Sequence, residues 1–111
     1  MKHAMKLQPK YYDFIKNGTK RVELRLYNEK RSKIDLNDVI KFSKSDNDKF
    51  NAKVIGLLRY SKFKDLFNDF DVSILADKSM SKQNLLEALG KFYDQEEQSK
   101  YGVVGIRIQL K

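Results

Sequence analysis

The chain has no cysteine, one histidine (His3), one proline (Pro9) and no long apolar run, and each shortage removes a class of function. Without thiols there are no disulfide staples and no thiolate metal sites. One imidazole near the N-terminus leaves any metal to carboxylates alone, so no metal or other cofactor is expected. A membrane helix needs roughly 18 or more consecutive apolar residues, and a secretory signal needs an apolar segment near the start. Neither pattern occurs, which points to a cytoplasmic protein with no membrane partner. The common catalytic signatures are missing as well: no Gly-x-x-x-x-Gly-Lys-Ser/Thr loop, no Gly-x-Gly-x-x-Gly, no His-Glu-x-x-His, and no second histidine for a serine triad.

What is present is a 111-residue chain with 41% hydrophobic residues, 6 Tyr and 7 Phe, enough to build one core, so a single domain over residues 1–111 is expected. The net charge of +8 favours polyanionic partners, because a basic surface attracts phosphate chains and releases their counterions. A Lys- and Asn-rich composition can also reflect codon usage in an AT-rich genome. That explanation does not account for where the charge lies, since residues 16–33 (KNGTKRVELRLYNEKRSK) hold seven Lys/Arg against two Glu.

Periodicity sets out the elements in order. A short strand over residues 2–8 precedes a helix from Pro9 to Asn17, with Tyr11, Phe14 and Ile15 on one face and Asn17-Gly18 as its stop. Residues 20–26 alternate as a strand, with Val22, Leu24 and Leu26 inward and Arg21, Glu23 and Arg25 on a wet face. Residues 27–33 read as a charged loop, Asn37-Asp38 as a turn, and residues 39–43 as a strand joined through a polar hairpin loop to a long strand over residues 50–60. Phe50, Ala52, Val54, Gly56, Leu58 and Tyr60 share one face of that strand, and Gly56 marks a bend or bulge. Residues 61–70 and 81–92 carry helical stripes, Phe63, Leu66, Phe67 and Phe70 in the first and Leu85, Leu89 and Phe92 in the second. Residues 94–100 are acidic and polar, a last helical turn or loop, and Val104, Ile106, Ile108 and Leu110 alternate in a closing strand. The order β-α-β-β-β-α-α-β lacks regular βαβ repeats and implies an α+β fold: a small, mainly antiparallel barrel decorated by three or so helices.

Chemistry is concentrated at Lys20, Glu23 and Arg25. Glu23 and Arg25 point the same way from a strand, and Lys20 at its mouth can converge on them. A lysine beside a carboxylate can move a proton, polarise a carbonyl, or hold a ligand with both donors and acceptors, such as a base edge. The same trio would also serve as an ordinary solvated strand face.

Gly18-Thr19-Lys20-Arg21-Val22-Glu23-Leu24-Arg25 reads Gly-x-Lys-x-x-Glu-x-Arg and resembles the signature of the ASCH domain family. The resemblance extends to Asn37-Asp38-Val39-Ile40-Lys41-Phe42, where the family usually has Gly-Asp, to Tyr60, Phe63 and Leu66, and to the ending Tyr101-Gly102-Val103-Val104-Gly105-Ile106. It implies a PUA-like barrel with a cleft between barrel and helices, binding RNA or a nucleotide through Lys20, Glu23 and Arg25, with Gly18 shaping the approach and Arg21 adjoining. Lys30, Arg31 and Lys33 of the charged loop would neutralise phosphates. Lys20 and Glu23 are the catalytic candidates if the protein is an enzyme. Some members of the family hydrolyse N4-acetylcytidine with a Lys, a Thr nucleophile three residues later and a distant Glu. Here Glu23 stands at the Thr position, Thr19 lies on the other side of Lys20, and Asp77 is the nearest counterpart of the distant carboxylate. A ribonuclease, suggested by another branch, could use a lysine with Tyr27 or Tyr101. A protein-interaction role would draw on the Phe63–Phe70 helix.

Overall fold

Among the described residues five strands, β1 (Lys2–Lys6), β2 (Val22–Leu26), β3 (Val39–Ser43), β4 (Lys49–Tyr60) and β5 (Val103–Leu110), form one sheet in the order β1-β3-β4-β5-β2. Only β1 and β3 run parallel; the other pairs are antiparallel, and the sheet curls into a half-barrel. The first two strands of the chain are therefore its two edges. Helices α1 (Pro9–Lys16), α2 (Glu29–Ser32), α3 (Phe63–Asp69), α4 (Val72–Leu75), α5 (Lys82–Gly90) and α6 (Gln95–Tyr101) surround it. The computed structural model describes residues 1–76 and 79–111, so Asp77 lies outside the described residues. Among the described residues, no helix is long and apolar enough to cross a membrane.

The expected α+β class forms, but the mainly antiparallel barrel with three or so helices is a half-barrel that carries, among the described residues, six. Alternation explains the class. On one face Ile40, Phe42, Ala52, Val54, Val104 and Ile106 pack against Tyr12 and Ile15 of α1; on the other, Val22, Leu24, Leu26 and Val103 meet Phe63, Leu66, Phe67, Leu75 and Leu85. The Phe63–Phe70 aromatics expected as a helical stripe are thus mostly core rather than an exposed binding face.

Several expectations change in detail. The bulge falls where Gly56 suggested, but it inverts the faces after it: Val54 pairs with Ile108 and Gly56 with Arg107, leaving Ile55 as the extra residue. Leu57 therefore joins the cluster of Ala52 and Val54, while Leu58 and Tyr60 pack on the opposite face. The loop expected over residues 27–33 contains α2, because the Asn28 side chain accepts from Arg31 N at 3.0 Å and caps a single turn. Residues 94–100 close into α6 through a reciprocal capping box between Asp94 and Glu97. Helix α4 is a four-residue turn capped by Asp71, too short to show periodicity. Phe92 leaves the buried stripe, since α5 ends at Gly90, and it is 53% exposed. Leu110 at the end of β5 is exposed too.

The turn before β3 is held by side-chain chemistry. Asn37 takes φ +73, a left-handed conformation that asparagine tolerates. Asp38 then lies 2.8 Å from His3 Nε2 and accepts from Asp35 N at 3.0 Å and the Met1 amino group at 3.1 Å. Those bonds, His3 foremost, hold its carboxyl well below the usual range. A carboxylate with a depressed folded pKa lends stability above its unfolded value, near 3.9, and loses it as the pH falls through the folded value. Asp38→Asn should therefore lower the thermal midpoint at neutral pH, and its deficit against the native chain should shrink as the pH falls below about 4, read by circular dichroism melts.

Candidate functional site

Helix α1 ends at Asn17, and Gly18 turns the chain with φ +86, a conformation other residues rarely adopt. Lys20 N donates back to Phe14 O at 2.9 Å, closing the reversal and turning the Lys20 side chain inward, where it is 3% exposed. Arg21 N then donates to Ile74 O and Arg21 O accepts from Ile108 N, which fixes the start of β2.

The register of β2 on β5 decides where its charges go. Glu23 lies opposite Ile106 and Arg25 opposite Val104, and directly opposed residues share a sheet face. Since Ile106 and Val104 belong to the core cluster under α1, Glu23 and Arg25 are carried onto an interior face. The face expected to be wet is therefore a buried one at Glu23, which is 5% exposed, because its barrel neighbours come from the far end of the chain. Arg21, one register step before, remains exposed.

Around Glu23 the polar groups are paired. Its Oε2 accepts from Arg25 Nε at 3.1 Å and Nη2 at 2.9 Å; its Oε1 accepts from Leu24 N at 3.0 Å and lies 3.6 Å from Lys20 Nζ. Lys20 Nζ also donates to Leu75 O of α4 and sits 5.8 Å from the Tyr11 ring centroid. Arg25 Nη2 reaches Lys6 O at 3.3 Å, so an arginine, not a backbone ladder, links edge strand β2 to edge strand β1. Burial alone would raise the Glu23 carboxyl, but Arg25 and Lys20 outweigh it and hold the pKa below the ordinary glutamate range. Burial lowers Lys20, with Glu23 opposing. Arg25 is desolvated too, yet Glu23 raises it above its usual value.

Beside this trio opens a cavity of about 200 Å³, set in the seam between the two sheet edges and walled by Tyr11, Leu85, Leu89, Phe92 and Tyr93. The sequence marks Tyr11, Leu85, Leu89 and Phe92 only as members of helical core stripes, with no sign that they wall a cavity, and it does not single out Tyr93. Of the other candidates, Arg31 is half-buried and feels the charges of Arg25 and Glu23, which places it near the trio; burial and Arg25 lower its pKa. Gly18 shapes the turn without lining the cavity, and Lys30 and Lys33 are exposed on and after α2. Among the described residues, no group of three or more His, Asp or Glu is placed to hold a metal ion.

Comparison with known proteins follows the same lines. A sequence model of the ASCH domain family matches residues 5–111. No curated protein matches the chain. Among solved structures it is similar to the hypothetical protein PH0355, with a TM-score of 0.90, 36% identity and 100% coverage of both chains. It is also similar to protein PF0455 from Pyrococcus furiosus, with a TM-score of 0.80 and 31% identity over 99% of this chain and 97% of that one. ASCH from Zymomonas mobilis shares the fold, with a TM-score of 0.67 and 14% identity over 96% of this chain and 65% of that one.

Removing one member of a buried charge set strands the others, at a cost of about 3–5 kcal/mol. Glu23→Gln should destabilise the fold by roughly that amount at neutral pH. Because the Glu23 pKa is depressed on folding, its contribution is present above about pH 4.3 and lost as the pH falls through the folded value. Denaturant unfolding should therefore show the gap between native and variant chains closing in acid.

Proposed function

The chain belongs to the ASCH domain family, and from that membership and the chemistry of its cleft we propose that residues 1–111 act as one nucleic-acid-binding domain that takes a single nucleotide of RNA into the Lys20–Glu23–Arg25 cleft. The observation that carries this reading is a set of three charged side chains, Lys20 and Glu23 buried and Arg25 partly buried, beside a cavity with apolar and aromatic walls. A buried ion cluster is often no more stabilising than apolar packing of the same volume, so the fold itself gains little from it. A ligand with acceptors on one flat edge uses it fully. Glu23, its oxygens already met by Leu24 N, Arg25 and Lys20, holds the donors Lys20 and Arg25 in place, and Tyr11, Phe92 and Tyr93 offer ring faces.

Size fits one ring system. The cavity of about 200 Å³ is below the roughly 300–1,000 Å³ of sites for drug-sized ligands. Arg31 beside the cleft, with exposed Lys30 and Lys33 on either side, would meet phosphates, and Arg21 adds to the positive field. A cytoplasmic setting accompanies this reading.

A second reading, hydrolysis of a modified nucleoside or of RNA, draws on one observation: Lys20 is buried beside the cavity, where burial lowers its pKa and leaves more of its amine free near neutrality than in an exposed lysine. Against it, Glu23 is tied by Arg25, Lys20 and Leu24 N, and its lowered pKa makes it a weak base.

Fluorescence anisotropy of labelled single-stranded RNA, titrated at several salt concentrations, tests the binding reading. Native protein should bind with a steep salt dependence. Phe92→Ala, which leaves the charged trio intact, should weaken binding by about ten-fold through lost stacking. Replacing Lys30, Arg31 and Lys33 together with Ala should flatten the salt slope by up to about 2, at roughly 0.7 per phosphate contact. Unchanged binding in both variants would refute the cleft as the RNA site. Release of acetate from N4-acetylcytidine, lost in Lys20→Ala, would replace binding by catalysis.

A further inference from the structure

A second groove lies past the end of β2, where β4 ends at Tyr60 and β5 begins at Val103. Arg25, Val104 and Arg59 are opposite one another across β2, β5 and β4, so all three project to one side. Two strand spacings separate the Arg25 and Arg59 backbones by about 10 Å. Tyr27, two residues past Arg25, bridges that interval: the Arg59 guanidinium carbon lies 3.8 Å from the centroid of its ring. The groove continues past Tyr60 to Lys62, Lys100 and Tyr101. Its lining carries three cations, Arg59, Lys62 and Lys100, against one carboxylate, Asp65. Tyr101 is 39% exposed, with Lys100 Nζ 5.1 Å from its ring centroid, and Tyr60 is pinned by a 2.5 Å hydrogen bond from its hydroxyl to Asp69.

Cations interleaved with ring faces suit a single strand, in which phosphates meet the charges and unpaired bases stack on the rings. A duplex hides those base faces. We propose that this groove is the track for nucleotides flanking the one held in the cleft, so that a single strand of RNA runs from Arg25 over the Tyr27–Arg59 stack to Lys62, Lys100 and Tyr101. The inference rests on the cleft reading for the class of ligand; the track meets the cleft at Arg25, and the residues lining the groove itself are separate from it.

The test compares a single-stranded RNA octanucleotide, followed by anisotropy, with a dinucleotide, followed by amide chemical shifts. The variants are Lys62→Ala with Lys100→Ala, and Tyr101→Ala; Lys62, Lys100 and Tyr101 are all exposed and outside the cleft. For the octanucleotide, the double variant should reduce the salt slope by about 1.4, and Tyr101→Ala should weaken binding by roughly five- to a hundred-fold. Dinucleotide binding should stay unchanged. Octanucleotide binding that ignores all three substitutions, or a preference for duplex over single strand, would overturn the track. The two readings separate cleanly. Sensitivity to Phe92→Ala alone keeps the cleft and removes the track, sensitivity to the groove variants alone keeps the track and removes the cleft, and no binding of either RNA at low salt removes both.

Discussion

Everything near the candidate site depends on how an ionised Glu23 is accommodated in an interior that would otherwise reject it. Desolvating a carboxylate costs several kcal/mol, and the cost is tolerated only where its lone pairs and its charge are matched. Three separate local constraints supply the match. Strand alternation puts Arg25 on the same face, the Gly18 turn brings Lys20 in from the end of α1, and the chain's own Leu24 N closes the remaining position. The partners of those partners spread the constraint further, Lys20 to Leu75 O of α4 and Arg25 to Lys6 O of β1. One carboxylate thus couples a helix, a turn and both edges of the sheet.

That coupling also accounts for where a cavity can exist. A closed barrel would pair β1 with β2 along their length and fill the interval with backbone. Here the edges meet through one arginine side chain and a carbonyl, leaving a seam that α1 and α5 roof with Tyr11, Leu85, Leu89 and the Phe92-Tyr93 pair. The seam is polar on one side and apolar on the other, an asymmetry suited to a flat ligand with a hydrogen-bonding edge. The bulge at Ile55 extends the same logic along the sheet. Because it inverts the faces of β4, Arg59 comes to lie on the face of Arg25 and against the Tyr27 ring.

Much of this was legible in the residues. Period-2 runs marked β2 to β5, Gly56 marked the bulge, Asn17-Gly18 the end of α1, and the spacing of Lys20, Glu23 and Arg25 marked the candidate site and pointed to the ASCH family. Short elements were not legible by periodicity, since the four residues of α2 or α4 span about one turn; their caps, Asn28 and Asp71, were the signal. Phe92 was misplaced because a helical stripe was projected past Gly90, where the helix ends.

The sequence by itself determined which residues could do chemistry, because charge type, turn propensity and side-chain alternation are properties of neighbours along the chain. It could not determine whether Glu23 meets water or protein. That depends on pairing with Ile106, on the carbonyl of Leu75 and on the approach of β1 to β2, all contacts between distant parts of the chain. Only the tertiary structure brings those groups together, and it alone turns a strand's charged face into the floor of a cleft.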